Sequence, residues 1–346
     1  ARLFERLADR WPGYEHSHRA LYRAGLGYAA AGDEDDAIRA WTRLTGSYPE
    51  SEYARDARLN IARTQEAGNR PEAAARSYRE FAAAYPEDAD AGSALLLAAD
   101  LFARAGDSVA SESVKTSYLE AFPDDVETRA AILEERARRE LDALADGEAV
   151  TPLLVATSGS NLARYVELTN ERPELAATAI LARVRFLRGE EERVRYERSP
   201  ITLPLAPSIA QKKSLLENVL QEYRNAAAYE VAPWNRAAAV RIGECLVAFG
   251  DALMASERPA DLTEDDLYAY EDVLEEQSWE FFDRGEEAWT RLVRQVGSEA
   301  SADVDDEWVA EARARLWPRV ASRFLHRPEV KYPLVAADHR QPDEAP

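Results

Sequence analysis

The side chains able to do chemistry are few. One cysteine, Cys245, and four histidines, His16, His18, His326 and His339, occur in 346 residues. Cys245 lies in an apolar stretch, where a buried inert thiol is expected. A thiol nucleophile needs a base, and no histidine lies within 70 residues of it. A lone cysteine also excludes an internal disulfide and any multi-cysteine metal site. His16 and His18 are separated by one residue, with no third ligand nearby, which makes a poor metal site. Acidic runs stand at Asp33-Glu34-Asp35-Asp36, Glu264-Asp265-Asp266 and Asp303-Asp305-Asp306-Glu307. Each opens an expected helix, where the dipole and capping favour acids. The ligand spacing of a calcium loop is missing. Thr157-Ser158-Gly159-Ser160 lacks the glycines and lysine of a phosphate loop. No catalytic, cofactor-binding or metal-ligating residue is assigned, and no cofactor is expected.

The charge narrows the classes further. There are 43 Lys+Arg against 64 Asp+Glu, a net of −21. A field of that sign opposes nucleic acid and anionic lipid. No run of about 18 uncharged apolar residues is present, so no membrane span is expected. With 46% hydrophobic residues, the chain can bury a core and is no disordered acidic tail.

The elements that must position any site come from a repeat. Trp11-Pro12, Tyr48-Pro49, Tyr85-Pro86 and Phe122-Pro123 recur every 37 residues. On the same step stand the small residues Gly25, Ala62 and Ala99, and Ala37, Ala74 and Ser111. Leu7, Leu44, Phe81 and Tyr118 form a bulky series. Phe4, Trp41 and Tyr78 form an aromatic one, broken by Lys115, and Tyr28 and Phe102 match across an intervening Gln65. Gly-containing turns fall midway, at Ala31-Gly32-Asp33, Ala67-Gly68-Asn69 and Ala105-Gly106-Asp107. Each unit is expected to be helix, turn, helix, then an aromatic-Pro stop. Small residues let two backbones approach, and bulky ones fill the space to the next hairpin. Such hairpins must stack to bury their faces.

These offsets resemble the tetratricopeptide repeat (TPR) family. Gly25, Tyr28, Ala37, Trp41 and Pro49 stand at its small, aromatic, small, aromatic and proline positions. Ala62, Ala74, Tyr78 and Pro86 repeat most of them, and Ala99, Phe102, Ser111 and Pro123 fewer. The resemblance implies an all-α, right-handed solenoid of helical hairpins over residues 1–145, with junctions about three residues longer than usual. Phe4, Leu7 and Trp11-Pro12 correspond to the second half of a hairpin. The sequence therefore starts mid-repeat, and upstream residues are expected, where a signal peptide or lipid-anchoring cysteine could lie. In the family the first helix of each hairpin lines a groove. By offset, Arg19, Tyr22 and Leu26, then Asp56, Leu59 and Arg63, would face it.

Further along, a helix is expected over 124–145, ended by Asp146-Gly147. Residues 146–207 are expected to be a linker holding helices at about 161–170 and 173–188, then a Pro-rich extended connection through Ser199-Pro200, Leu203-Pro204 and Ala206-Pro207. A divergent helical region follows over 208–326, with helices from Ser208 to Tyr229, from Pro233 to about Leu253, and over about 264–296 and 303–325. Residues 327–346 form a Pro-rich tail. Lys213, Leu216, Tyr223, Pro233-Trp234, Ala238-Ala239 and Arg241-Ile242-Gly243 resemble the C-terminal part of large TPR proteins of myxobacteria and related bacteria. Glu286-Glu287-Ala288-Trp289 and Glu307-Trp308-Val309, with Ala312-Arg313 and Leu316, continue that resemblance. It implies a non-catalytic scaffold in a cell-envelope assembly, periplasmic or outer-membrane-associated, with gliding motility one such setting. The partner would be a peptide, a helix or a neighbouring subunit. The rival readings are an enzyme in the C-terminal helical half and a metal-regulated adaptor.

Overall fold

The computed structural model describes residues 1–145, 159–259, 263–298 and 306–324. The chain divides into two compact units, Ala1–Ile132 and Leu133–Pro346. Among the described residues there are fourteen α-helices and no strand, an all-α helical solenoid.

The first unit contains α1 (Arg2–Arg10), α2 (Ser17–Ala30), α3 (Glu34–Ser47), α4 (Ala54–Ala67), α5 (Pro71–Ala84), α6 (Ala91–Arg104) and α7 (Ser108–Ala121). The helix α8 (Val126–Ala145) begins in this unit and continues into the second. Helices α2 to α7 are each 14 residues long. The principal contacts run from each helix to the next.

The turn inside each hairpin needs a left-handed residue, and the 37-residue step supplies one each time: Gly32, Asn69 and Gly106, with φ of 80°, 54° and 83°. Asparagine tolerates this region better than other side chains. In the second turn the left-handed role therefore falls to Asn69, not Gly68. The aromatic-Pro pairs end the helices as expected. The amide of Tyr48 donates to Leu44 O, Tyr85 to Phe81 O and Phe122 to Tyr118 O, and Trp11 does the same to Leu7 O. The following proline then holds the aromatic residue out of the helical region. Asp107 caps α7 by accepting from Ala110 N at 2.9 Å, whereas Asp33 makes no such bond at the start of α3.

Close packing follows the small-residue series. Ala37, Ala62 and Ala74 are fully buried, Ala99 and Ser111 nearly so. At Gly25 an added Cβ would overlap the indole of Trp41. That indole lies flat over the glycine and donates from Nε1 to Tyr22 O at 3.2 Å. Leu44, Phe81 and Tyr118, the bulky series, are buried.

The second unit contains α9 (Asn161–Glu171), a 3-10 turn at Pro173–Leu175, α10 (Thr178–Glu197), α11 (Leu205–Ala227), α12 (Trp234–Met254), α13 (Glu264–Ser298) and α14 (Glu307–Phe324). Ser160 caps α9 by accepting from Ala163 N. Two expectations are corrected. The helix expected over 173–188 starts at Thr178 and runs to Glu197. Its Phe186 and Tyr196 join the core with Tyr223, Ala238 and Phe249, so α10 is half of a packed pair and no linker. The extended connection stops at Pro204, because Ala206-Pro207 lie in the first turn of α11. First-turn amides have no intrahelical acceptor, so a proline there forfeits nothing. Pro318 lies inside α14. Asp146-Gly147, Thr157-Ser158, Asp303, Asp305, His326, His339 and the tail 327–346 lie outside the described residues.

Helices α10 and α11 pair, as do α12 and α13, and α12 also contacts α10 and α14. At the pair contacts the glycine device recurs. An added Cβ at Gly189 would overlap Tyr223, and one at Gly243 would overlap Trp289. Trp289 Nε1 donates to Val240 O at 3.0 Å. In both units the accepting carbonyl belongs to the third residue before the glycine. The neighbours match too. Gly285 and Leu292 flank Trp289 at the offsets at which Ala37 and Leu44 flank Trp41, and all four are buried.

Candidate functional site

In the first unit the outer faces of α2 and α4 carry the residues singled out by offset. Arg19, Leu26, Asp56 and Arg63 are exposed, and Tyr22 is half-buried. Leu26 is 44% exposed, an apolar side chain turned to solvent. Leu59 differs. It is 4% exposed and packs in the core cluster with Ala62, Ala75 and Tyr78, so it gives packing and no contact surface. Rings gather where α2 and α4 begin: Tyr53 stacks on Tyr22 at 5.0 Å and on His18 at 5.7 Å. His18 is thereby an aromatic packing element near the start of α2.

The junctions between hairpins are held by ion pairs. Arg55, on α4, donates from Nε to Asp88 at 2.9 Å and from its terminal amines to Asp88 and Asp90. The guanidinium beside Asp88, with the Asp90 amide, holds that carboxyl down to about 2. The acidic run of α3 is used similarly. Arg70 binds Asp35 at 2.7 Å and Glu34 at 3.1 Å, while Arg39 binds Asp36 at 2.8 Å within α3 itself. The run at α13 is capped by itself: Thr263 donates to Asp266 Oδ2 while its own Oγ1 accepts from the Asp266 amide. Asp306 accepts from Val309 N and pairs with Arg236 at 2.8 Å. Among the described residues no three His, Cys, Asp or Glu side chains converge as a metal site.

The second unit has a cavity of about 430 Å³ lined from four helices: Arg193 and Glu197 on α10, Arg241 and Glu244 on α12, Trp289 on α13, Arg315 and Arg319 on α14. Glu190 ties two of the lining arginines together, accepting from Arg193 at 2.8 Å, Arg241 Nε at 3.1 Å and Tyr223 Oη at 2.7 Å. Arg241 also binds Glu244 at 2.7 Å and stacks over Trp308 at 5.2 Å. Arg315 bridges Glu311 at 2.8 Å and Glu244. The charges are mutually matched, so the lining is polar without a strong net field. Its thiol and the phenol that bonds Glu190 are held neutral. Burial pushes the Cys245 thiol up to about 12, which removes it as a nucleophile. Burial, then Glu190, raises Tyr223. The buried Lys212 of α11 donates to Tyr196 O at 3.1 Å and Ser199 O at 2.7 Å, closing the end of α10, and desolvation lowers its pKa.

Around this cavity Cys245 stands out in the sequence as the one thiol, and Tyr223, Arg241, Trp289 and Trp308 as parts of the lineage motifs. The others lie on helices separated by connections of unequal length, so no spacing pattern announces them. Among the described residues no helix is long and apolar enough to cross a membrane.

Residues 19–51 and 56–88 match the family model described as tetratricopeptide repeat. Those segments are the pairs α2–α3 and α4–α5, so the chain carries tetratricopeptide repeats. The third hairpin, α6–α7, has the same build but carries Lys115 where the matched pairs carry Trp41 and Tyr78. No curated protein matches the chain.

Proposed function

We propose that the protein is a non-catalytic scaffold that holds protein partners on the first helices of its hairpins, within a bacterial cell-envelope assembly. The observation that carries the scaffold reading is the pair of tetratricopeptide repeats with Arg19, Tyr22, Leu26, Asp56 and Arg63 at the surface of α2 and α4. An exposed leucine beside arginines and a stacked tyrosine gives a partner peptide both an apolar anchor and charge-directed register. In the second unit the matched ion-pair cavity offers polar recognition, because each arginine can exchange its carboxylate for one from a partner. The envelope setting, periplasmic or outer-membrane-associated, rests on the resemblance of the C-terminal motifs to large myxobacterial TPR proteins.

The test is affinity purification of the tagged chain from its native host, with mass spectrometry, against a Leu26→Arg/Arg63→Glu variant. A partner recovered with the natural chain and lost with the variant is the expected result, and envelope proteins should dominate it. Recovery of the same partners with both chains would remove the first groove from the proposal. No partner surviving stringent washing would remove the scaffold reading itself.

A further inference from the structure

The helix α13 is 35 residues long, against 21 for its partner α12. Its inner face, including Leu274, Phe281, Trp289 and Leu292, is buried. The opposite face carries two largely exposed aromatic side chains, Tyr268 at 64% and Trp279 at 58% exposure. They stand eleven residues apart, three helical turns, so they share one side of the helix about 16 Å apart. Asp265, Asp272, Glu276 and Asp283 lie on the same outward stripe by helical spacing, and all four are exposed. Between Glu264 and Glu287 there are eleven acidic residues and one basic residue, Arg284. This one stretch thus holds about half of the net charge of −21.

Large exposed aromatics are the usual anchors of an interface, and charge around them selects the partner. The field here opposes nucleic acid, anionic lipid and a second copy of this acidic chain. It attracts a cationic surface. Two anchors three turns apart fit the apolar edge of another helix, whose side chains also repeat after eleven residues.

We propose that the outward face of α13 docks a cationic amphipathic helix of a partner protein. Apolar residues eleven apart on that helix cover Tyr268 and Trp279, and flanking Lys or Arg residues meet Asp265, Asp272, Glu276 and Asp283. The surface belongs to the second helix of its hairpin, so it is separate from the grooves of first helices.

The experiment uses the full chain and a synthetic 18-residue helical peptide rich in Lys and Arg, with two leucines eleven apart. A second peptide of identical composition places the leucines on opposite sides. Binding is followed by fluorescence anisotropy of the labelled peptides. The matched peptide should bind at least about tenfold more tightly than the mismatched one. Tyr268→Ala/Trp279→Ala and Asp272→Lys/Glu276→Lys should each weaken it by a similar factor, with circular dichroism unchanged because every altered side chain is exposed. Added salt should weaken it further. Equal binding of the two peptides, or affinity unaltered in either double variant, would overturn the proposal.

Discussion

The two units solve one packing problem with different rulers. In the first, the glycine and the aromatic that covers it are 16 residues apart, Gly25 and Trp41, on helices of equal length. In the second they are 34 apart at Gly189 and Tyr223 and 46 apart at Gly243 and Trp289. Yet the contact is the same: an aromatic ring in the space a Cβ would take, with each indole bonded to the carbonyl three residues before its glycine. The contact is conserved in space and free in sequence. Longer helices and connections change what is displayed outside the pair without disturbing its inside, and α13 uses that freedom to extend an acidic outer face.

The sharpest way to break this comparison is to remove the rings. Trp41→Ala and Trp289→Ala should each destabilise the unit that carries it by about 3–5 kcal/mol, the range for truncating a buried aromatic. Urea unfolding followed by circular dichroism checks this. A far smaller loss at Trp289 would show that helix length, and not the lock, holds the second unit. Next in size, Gly25→Ala and Gly243→Ala should each destabilise by about 1–3 kcal/mol, because a methyl must displace a pinned indole. A substitution that proves neutral at one site and harmful at the other would mean the two locks are not equivalent.

The smallest effect concerns the hairpin junction. Asp88 is held down to about 2 by Arg55, below the ordinary value of its carboxyl. The contribution is therefore present above about pH 4 and fades as pH falls toward 2. The stabilities of the natural chain and Arg55→Gln should differ at neutral pH and converge over that window, measured by thermal melts across a pH series. Curves that stay parallel would deny the clamp.

What could be read from the sequence follows from the same difference. A fixed period of 37 residues exposed the hairpins of the first unit, down to the turn positions 32, 69 and 106. It misplaced Leu59, because an offset gives a position along the helix but not how far the neighbouring hairpin rotates to cover it. The locks at Gly189 and Gly243 stayed hidden, since no constant spacing links them to Tyr223 and Trp289. The same loss of period hid the cavity arginines Arg193, Arg315 and Arg319. Pro207 misled because a proline in the first turn looks the same in sequence as one that breaks a helix.

The helices of the first unit pack chiefly on their immediate neighbours, so their interfaces are connected in series. A pull along such a stack loads every interface equally, and the weakest yields first. At α6–α7 that load meets Lys115, where the other two hairpins carry Trp41 and Tyr78.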